Sequence, residues 1–150
     1  MVMVRSVKVS KVINNLFDIK TPRKKILFSD TTFRDGAQSL WAMNMTYGMY
    51  DAVAADLDQV GYHYIDLPMH AIYFKMAVRF LKENPWEIAR IFKRKIAKTK
   101  KMIGILDNFN FLEEAQPRSV VRKFYEVTAR SCGADRFYYM CNSRNELDRY

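Results

Sequence analysis

The segment Phe28 to Leu40 reads Phe-Ser-Asp-Thr-Thr-Phe-Arg-Asp-Gly-Ala-Gln-Ser-Leu, so that Asp30, Thr31, Thr32, Arg34, Asp35 and Gln38 crowd the end of a short apolar run, Lys25-Ile-Leu-Phe28. A carboxylate such as Asp35 is the oxygen donor that a hard or borderline divalent ion takes. Arg34 beside it is a permanent cation with a bidentate fork, suited to a substrate carboxylate or to the charge of a developing enolate. Gln38 can donate an amide hydrogen bond to the same oxygens. The opposing reading is an ordinary ion pair between Arg34 and Asp35 at a loop mouth. An apolar run with a polar tip predicts a buried strand over Lys25 to Asp30 that carries chemistry at its C-terminal end, followed by a loop to about Met45.

The elements that must hold this tip follow from periodicity. Thr46 can cap a helix with Met49, Val53, Leu57 and Val60 on one stripe, stopped at Gly61. Tyr62 to Leu67 reads as a strand. Tyr73, Ala77, Phe80 and Leu81 mark a second helix ending at Asn84, and Pro85 opens another that carries Ile88, Ile91, Phe92 and Ile96. Met102 to Leu106 is a third strand with Asp107-Asn108 at its tip. After a loop to Pro117, Val120, Phe124, Val127 and Thr128 trace a helix ended by Gly133, and Phe137 to Cys141 is a fourth strand. Tyr138, Tyr139 and Met140 read as core.

Residues 1–24 read as an N-terminal basic arm or short helix, with Val2, Val4, Val7 and Val9 alternating with basic residues before Val12, Ile13, Leu16 and Phe17. Residues 25–150 alternate strand and helix, which predicts an α/β fold with a parallel sheet. Four such units suit a doubly wound sheet or the N-terminal half of a (β/α)8 barrel. A complete barrel takes about 250 residues, so this chain is expected to close one only with further polypeptide.

Composition narrows the classes. With 49% hydrophobic residues the chain is not a disordered one, and no uninterrupted apolar stretch approaches membrane-spanning length. The charged N-terminus lacks the apolar core of a secretory signal, so a cytoplasmic protein is expected, with the mitochondrial matrix as the alternative if the basic first residues act as a transit peptide. Cys132 and Cys141 show no metal-knuckle spacing and read as buried free thiols. The net charge of +9 raises nucleic acid as a partner, but no recognition motif accompanies it; Lys93, Arg94, Lys95, Lys98, Lys100 and Lys101 read as the wet face and exit of one helix.

Asp30-Thr-Thr-Phe-Arg-Asp-Gly-Ala-Gln38 resembles the first-strand signature of the metal-dependent barrel superfamily that contains isopropylmalate and homocitrate synthases, hydroxymethylglutaryl-CoA lyase and the carboxyltransferase domains of biotin enzymes. Gln38-Ser-Leu40 with Ala42, then Leu57-Asp-Gln-Val-Gly-Tyr62, then Arg79-Phe-Leu-Lys-Glu-Asn-Pro-Trp-Glu87 resemble the branch of pyruvate carboxylase, the oxaloacetate decarboxylase alpha subunit and the transcarboxylase 5S subunit. The resemblance implies that Asp35 is a ligand of a divalent metal (Zn, Mn, Co or Mg) and that Arg34 and Gln38 orient a small carboxylic or 2-oxo acid and stabilise its enolate. It implies carboxybiotin, supplied by a carrier domain or subunit, as carboxyl donor. The implied partners are the rest of the barrel, the biotin carrier and the biotin carboxylase component, in an oligomer. The alternatives are an acyl-CoA synthase or lyase of aldol type, and a non-catalytic scaffold that binds a protein or nucleic acid.

The chain departs from that branch in three places. Ala37 stands where the branch has histidine. Where it carries Glu-x-Trp-Gly-Gly-Ala-Thr-Phe-Asp, this chain has Asp66-Leu-Pro-Met-His-Ala-Ile-Tyr-Phe-Lys75, with Asp66 as the match to the glutamate. Arg-Gly-Gln-Asn is replaced by Asp107-Asn-Phe-Asn110, so the usual cation over pyruvate is missing. Asp66 and His70 are therefore further substrate-site candidates; His70 either replaces a lost polar contact or carries a proton, or is a solvated loop residue. His63 reads as structural. The His-x-His pair and modified lysine that complete the family's metal site have no counterpart in this sequence.

Overall fold

The computed structural model describes residues 25–105 and 117–139. The basic arm over 1–24, the segment Asp107 to Asn110 and Cys141 lie outside them. Four strands, β1 (Ser29–Asp30), β2 (Tyr64–Leu67), β3 (Lys100–Ile105) and β4 (Arg136–Tyr139), form one parallel sheet in the order β1-β2-β3-β4. Asp30 lies opposite Ile65, Leu67 opposite Ile103, and Gly104 opposite Tyr138. Between the strands run α1 (Ala37–Trp41), α2 (Tyr47–Gln59), α3 (Ala71–Met76), α4 (Pro85–Lys95) and α5 (Arg118–Cys132). A doubly wound sheet reverses its strand order partway; here every crossover lands on the next strand, which is the winding of a barrel wall.

The first strand is shorter and wetter than its composition predicts. Only Ser29 and Asp30 pair with β2, helped by the His63 N–H donating to the Phe28 carbonyl at 2.7 Å. Ile26, Leu27 and Phe28 are 77%, 51% and 69% exposed. Apolar side chains are buried only where a second surface meets them, and among the described residues β1 has a neighbour on one side alone. The expected loop after it also proves helical: a π-helical turn, Thr32–Gly36, runs straight into α1.

Helix α2 is also rotated from its expected face. Val53 and Val60 are exposed, and the buried residues are Tyr50, Ala54 and Asp58 at four-residue spacing. The reason is a polar anchor. Asp58 accepts the backbone N–H of Ala97 at 3.0 Å, of Lys98 at 3.1 and 3.2 Å and of Thr99 at 2.7 Å, which ties the end of α2 to the turn between α4 and β3. Those N–H groups would otherwise be orphans past a helix C-terminus.

Most other punctuation behaves as its chemistry requires. Asn84 caps α4 by accepting from Trp86 N at 3.0 Å, with Pro85 in the first turn. Gly133 closes α5 at φ +70°, a conformation that costs glycine nothing. On α5, Val120 and Val127 are exposed while Tyr125, Thr128 and Cys132 are buried. Cys132 is buried and free, as expected, and burial pushes its thiol up to about 11. The basic run is less wet than expected: Lys101 is buried, with Nζ donating to the Ile96 carbonyl at 2.8 Å, and Lys95 pairs with Asp51 at 2.8 Å.

Beneath the signature turn lies an aromatic plug. Phe33 stacks edge-on against Tyr50 at 5.4 Å and tilts against Phe92 at 5.2 Å, and Tyr50 meets Tyr73 at 5.9 Å. All four side chains are fully buried. Edge-to-face pairs of this kind add to the area they remove from water. Phe33 therefore nails the turn to α2 and α4, and its neighbours Arg34 and Asp35 inherit a fixed position.

Candidate active site

The polar residues of the turn divide between structure and chemistry. Asp30 is a turn former, its carboxylate accepting the Thr32 N–H at 3.0 Å and the Thr32 hydroxyl at 2.9 Å. The π-helical turn closes with the N–H groups of Asp35 and Gly36 donating to the Thr31 carbonyl at 2.7 and 3.2 Å. That extra residue in the turn sets Arg34 over the tip of β2.

There Arg34 Nε donates to Asp66 Oδ2 at 2.9 Å, while its terminal nitrogen donates to Asp35 Oδ1 at 3.1 Å. The Tyr138 hydroxyl, from β4, donates to the same Asp66 oxygen at 2.7 Å. Thus β1's turn, β2 and β4 meet in one network of two carboxylates, a guanidinium and a phenol. Arg34 does pair with Asp35, as the simpler sequence reading has it, but that pair is one edge of a larger cluster.

The electrostatics follow from burial. The Asp66 side chain is 1% exposed, and loss of water raises its pKa; the bonds from Tyr138 and Arg34 oppose that rise without cancelling it. Burial works against the Arg34 cation, yet its bond to Asp66 and the fields of both aspartates raise it above its ordinary value. Burial and the bond to Asp66 likewise raise the Tyr138 hydroxyl, so it stays protonated and donates. Asp35 lies at the wet edge, with 52% of its side chain exposed.

Tyr138 reaches β2 because β3 has no side chain in its path. A Cβ built on Gly104 would lie 2.7 Å from both the Tyr138 ring and its oxygen. The sequence reads Tyr138 as core and gives Gly104 no role; the structure corrects both. The available signal is a glycine inside a strand, which often marks a close approach. Tyr138→Phe is expected to cost about 1–2 kcal/mol by leaving the buried carboxylate short of a donor. Gly104→Ala should displace the ring and lose the same bond. Urea unfolding of both single variants and the double variant checks this: the combined cost should fall short of the sum, and strict additivity would refute a shared bond.

His70 is neither solvated nor in a loose loop. It is buried, caps α3, and accepts the Tyr73 N–H on Nδ1 at 3.4 Å. Its Nε2 and the second Asp66 oxygen, Oδ1, are buried and unpaired among the described residues. Gln38 is exposed on α1 and makes no hydrogen bond to Arg34, Asp35 or Asp66 among the described residues. His63 packs its ring against Tyr64 at 4.5 Å, consistent with a structural role.

As a metal site the arrangement is incomplete. No cluster of three or more His, Cys, Asp or Glu able to hold an ion occurs among the described residues, and Asp35 contributes a single carboxylate already paired with Arg34. Stable divalent sites need more donors than that. Among the described residues, no helix is long and apolar enough to cross a membrane.

No family model matches the chain. It is 34% identical over 108 residues to a pyruvate carboxylase subunit of Methanocaldococcus jannaschii, covering 72% of this chain and 19% of that protein. It is 31% identical over 121 residues to the methylmalonyl-CoA carboxyltransferase 5S subunit of Propionibacterium freudenreichii subsp. shermanii, covering 80% of this chain and 23% of that one. The carboxyl transferase domain of Rhizobium etli pyruvate carboxylase, solved with oxamate and biotin, superposes with a TM-score of 0.62 at 26% identity, over 77% of this chain and 20% of that one. The chain therefore spans about a fifth of the length of the relatives it matches. Its parallel sheet matches part of a carboxyltransferase barrel, and the resemblance drawn from the signature turn holds across most of the chain.

Proposed function

We propose that this chain, which is similar to the carboxyltransferase components of pyruvate carboxylase and transcarboxylase, forms the β1–β4 side of a carboxyltransferase site in a biotin-dependent carboxylase or decarboxylase system. The substrate is a small carboxylic or 2-oxo acid that reacts through its enolate. The observation that carries this reading is the Arg34–Asp66–Tyr138 network at the C-terminal strand tips, the face on which barrel enzymes build their sites.

Arg34 has five N–H donors, and its contacts to Asp66 and Asp35 commit two of them. The others orient the carboxylate of the acid and stabilise negative charge as the enolate forms. Asp66 and Tyr138 hold the guanidinium in place, so it need not reorganise when that charge appears. Gln38 on α1 closes over the substrate as an amide donor, and His70 lines the floor beyond β2. Asp35, half-exposed at the wet edge, would be the residue to offer a carboxylate oxygen to a divalent ion, Zn, Mn, Co or Mg, which when bound would help stabilise the enolate's charge. Carboxybiotin on a carrier supplies the carboxyl group. The system would work in the cytoplasm or the mitochondrial matrix, as an oligomer with carrier and biotin carboxylase components.

The test uses the chain with the subunits that copurify with it. Pyruvate-dependent carboxyl transfer should be abolished by avidin and should not need coenzyme A. Elemental analysis should find a divalent ion that Asp35→Ala loses, together with most of the activity. Avidin-insensitive, coenzyme A-dependent turnover would replace this reading with an aldol-type one. Full activity and no metal in Asp35→Ala would remove Asp35 from the site.

A further inference from the structure

The two nitrogens of His70 have different surroundings. Nδ1 accepts a backbone N–H from Tyr73, so it carries no proton. Burial, with the nearby Arg34 cation adding to it, depresses the ring to about 4, so the imidazole is neutral near pH 7. A neutral ring that accepts on Nδ1 bears its proton on Nε2. That N–H is buried, on a side chain 1% exposed, and has no partner among the described residues.

Buried N–H donors are rarely left unpaired in native proteins. Asp66 Oδ1, an equally buried acceptor, is unpaired at the same strand end. Arg34 connects the two residues: it bonds to Asp66 and lies close enough to His70 for its charge to act on the ring. A buried N–H without a partner beside a guanidinium is complementary to an acceptor oxygen of a small acid anion.

We propose that His70 is a substrate-binding residue whose Nε2–H donates to an oxygen of a small 2-oxo acid seated against Arg34. The class of acid rests on the carboxyltransferase reading above; the donor and its tautomer rest on the geometry of β2 and α3.

His70→Asn separates this role from folding. Asparagine keeps a cap acceptor for α3, as Asn84 does for α4, but carries no N–H where Nε2 stands. In calorimetric titration of pyruvate into the full chain with its copurifying subunits, the variant should bind about tenfold more weakly, the loss of roughly one hydrogen bond. Its thermal midpoint should stay within a few degrees of the parent's. Nitrogen-15 spectra of the parent should show a protonated Nε2 whose signal moves when pyruvate is added.

Equal pyruvate affinity in the variant would overturn the role of His70 while leaving the carboxyltransferase reading in place. An Nε2 signal that pyruvate leaves unchanged would also overturn it, with water as the donor's partner. If the parent binds neither pyruvate nor 2-oxoglutarate, both readings fall together.

Discussion

Arg34→Met is expected to reduce kcat/KM for carboxyl transfer by about 10²–10³-fold, the range seen when a preorganised donor to a developing oxyanion is removed. It should also destabilise the fold by about 3–5 kcal/mol, because it strands the Asp66 carboxylate in a site with almost no water. Arg34→Lys separates the two effects. Lysine keeps the charge beside Asp66 but loses the planar fork that holds Asp66 and Asp35 together, so stability should largely recover while activity does not. Steady-state kinetics and urea unfolding of both variants make the comparison. Full activity in Arg34→Lys would show that charge alone suffices and that orientation by the fork is not used.

The largest purely structural loss is expected at Asp58. Asp58→Ala removes the acceptor of three backbone N–H groups at Ala97, Lys98 and Thr99. A cost of about 3 kcal/mol follows, from charged hydrogen bonds lost and N–H groups left unpaired. For a chain of this size that is a fall of roughly 6–12 °C in thermal midpoint. Burial acts to raise the Asp58 pKa, but the N–H groups of Thr99, Lys98 and Ala97 outweigh it and hold the carboxylate below its ordinary range. The folded state therefore binds this proton less readily than the unfolded chain. The stability contributed is present above the ordinary aspartate pKa and is lost as pH falls through the depressed folded value. The gap between the parent and Asp58→Asn should accordingly be widest near neutrality and narrow in acid; a gap independent of pH would contradict this.

Much of this protein is local in origin. The strand-helix alternation needs only periodicity and stop signals, and the resulting parallel sheet with β1 to β4 in sequence emerges as expected. Asn84-Pro85 and Gly133 mark helix ends because capping and positive φ are properties of one or two residues. Arg34 and Asp35 are recognisable because the signature turn is contiguous in the chain. Faces are harder to read. Val53 and Val60 look like a buried stripe, but α2 turns according to Asp58, whose partners lie about forty residues away. Ile26, Leu27 and Phe28 look buried, but burial depends on a layer that no property of those residues supplies.

The order of elements and the identity of the residues at the tip of the first strand are written in the chain itself, since both depend on near neighbours. What that tip is attached to is settled by folding. Tyr138 joins Asp66 across Gly104, which requires β2, β3 and β4 in their observed register. His70 is held neutral because it is buried as the cap of α3, with the charge of Arg34 adding to that effect. Such assignments depend on distance and on the exclusion of water, and neither exists until the chain has closed on itself.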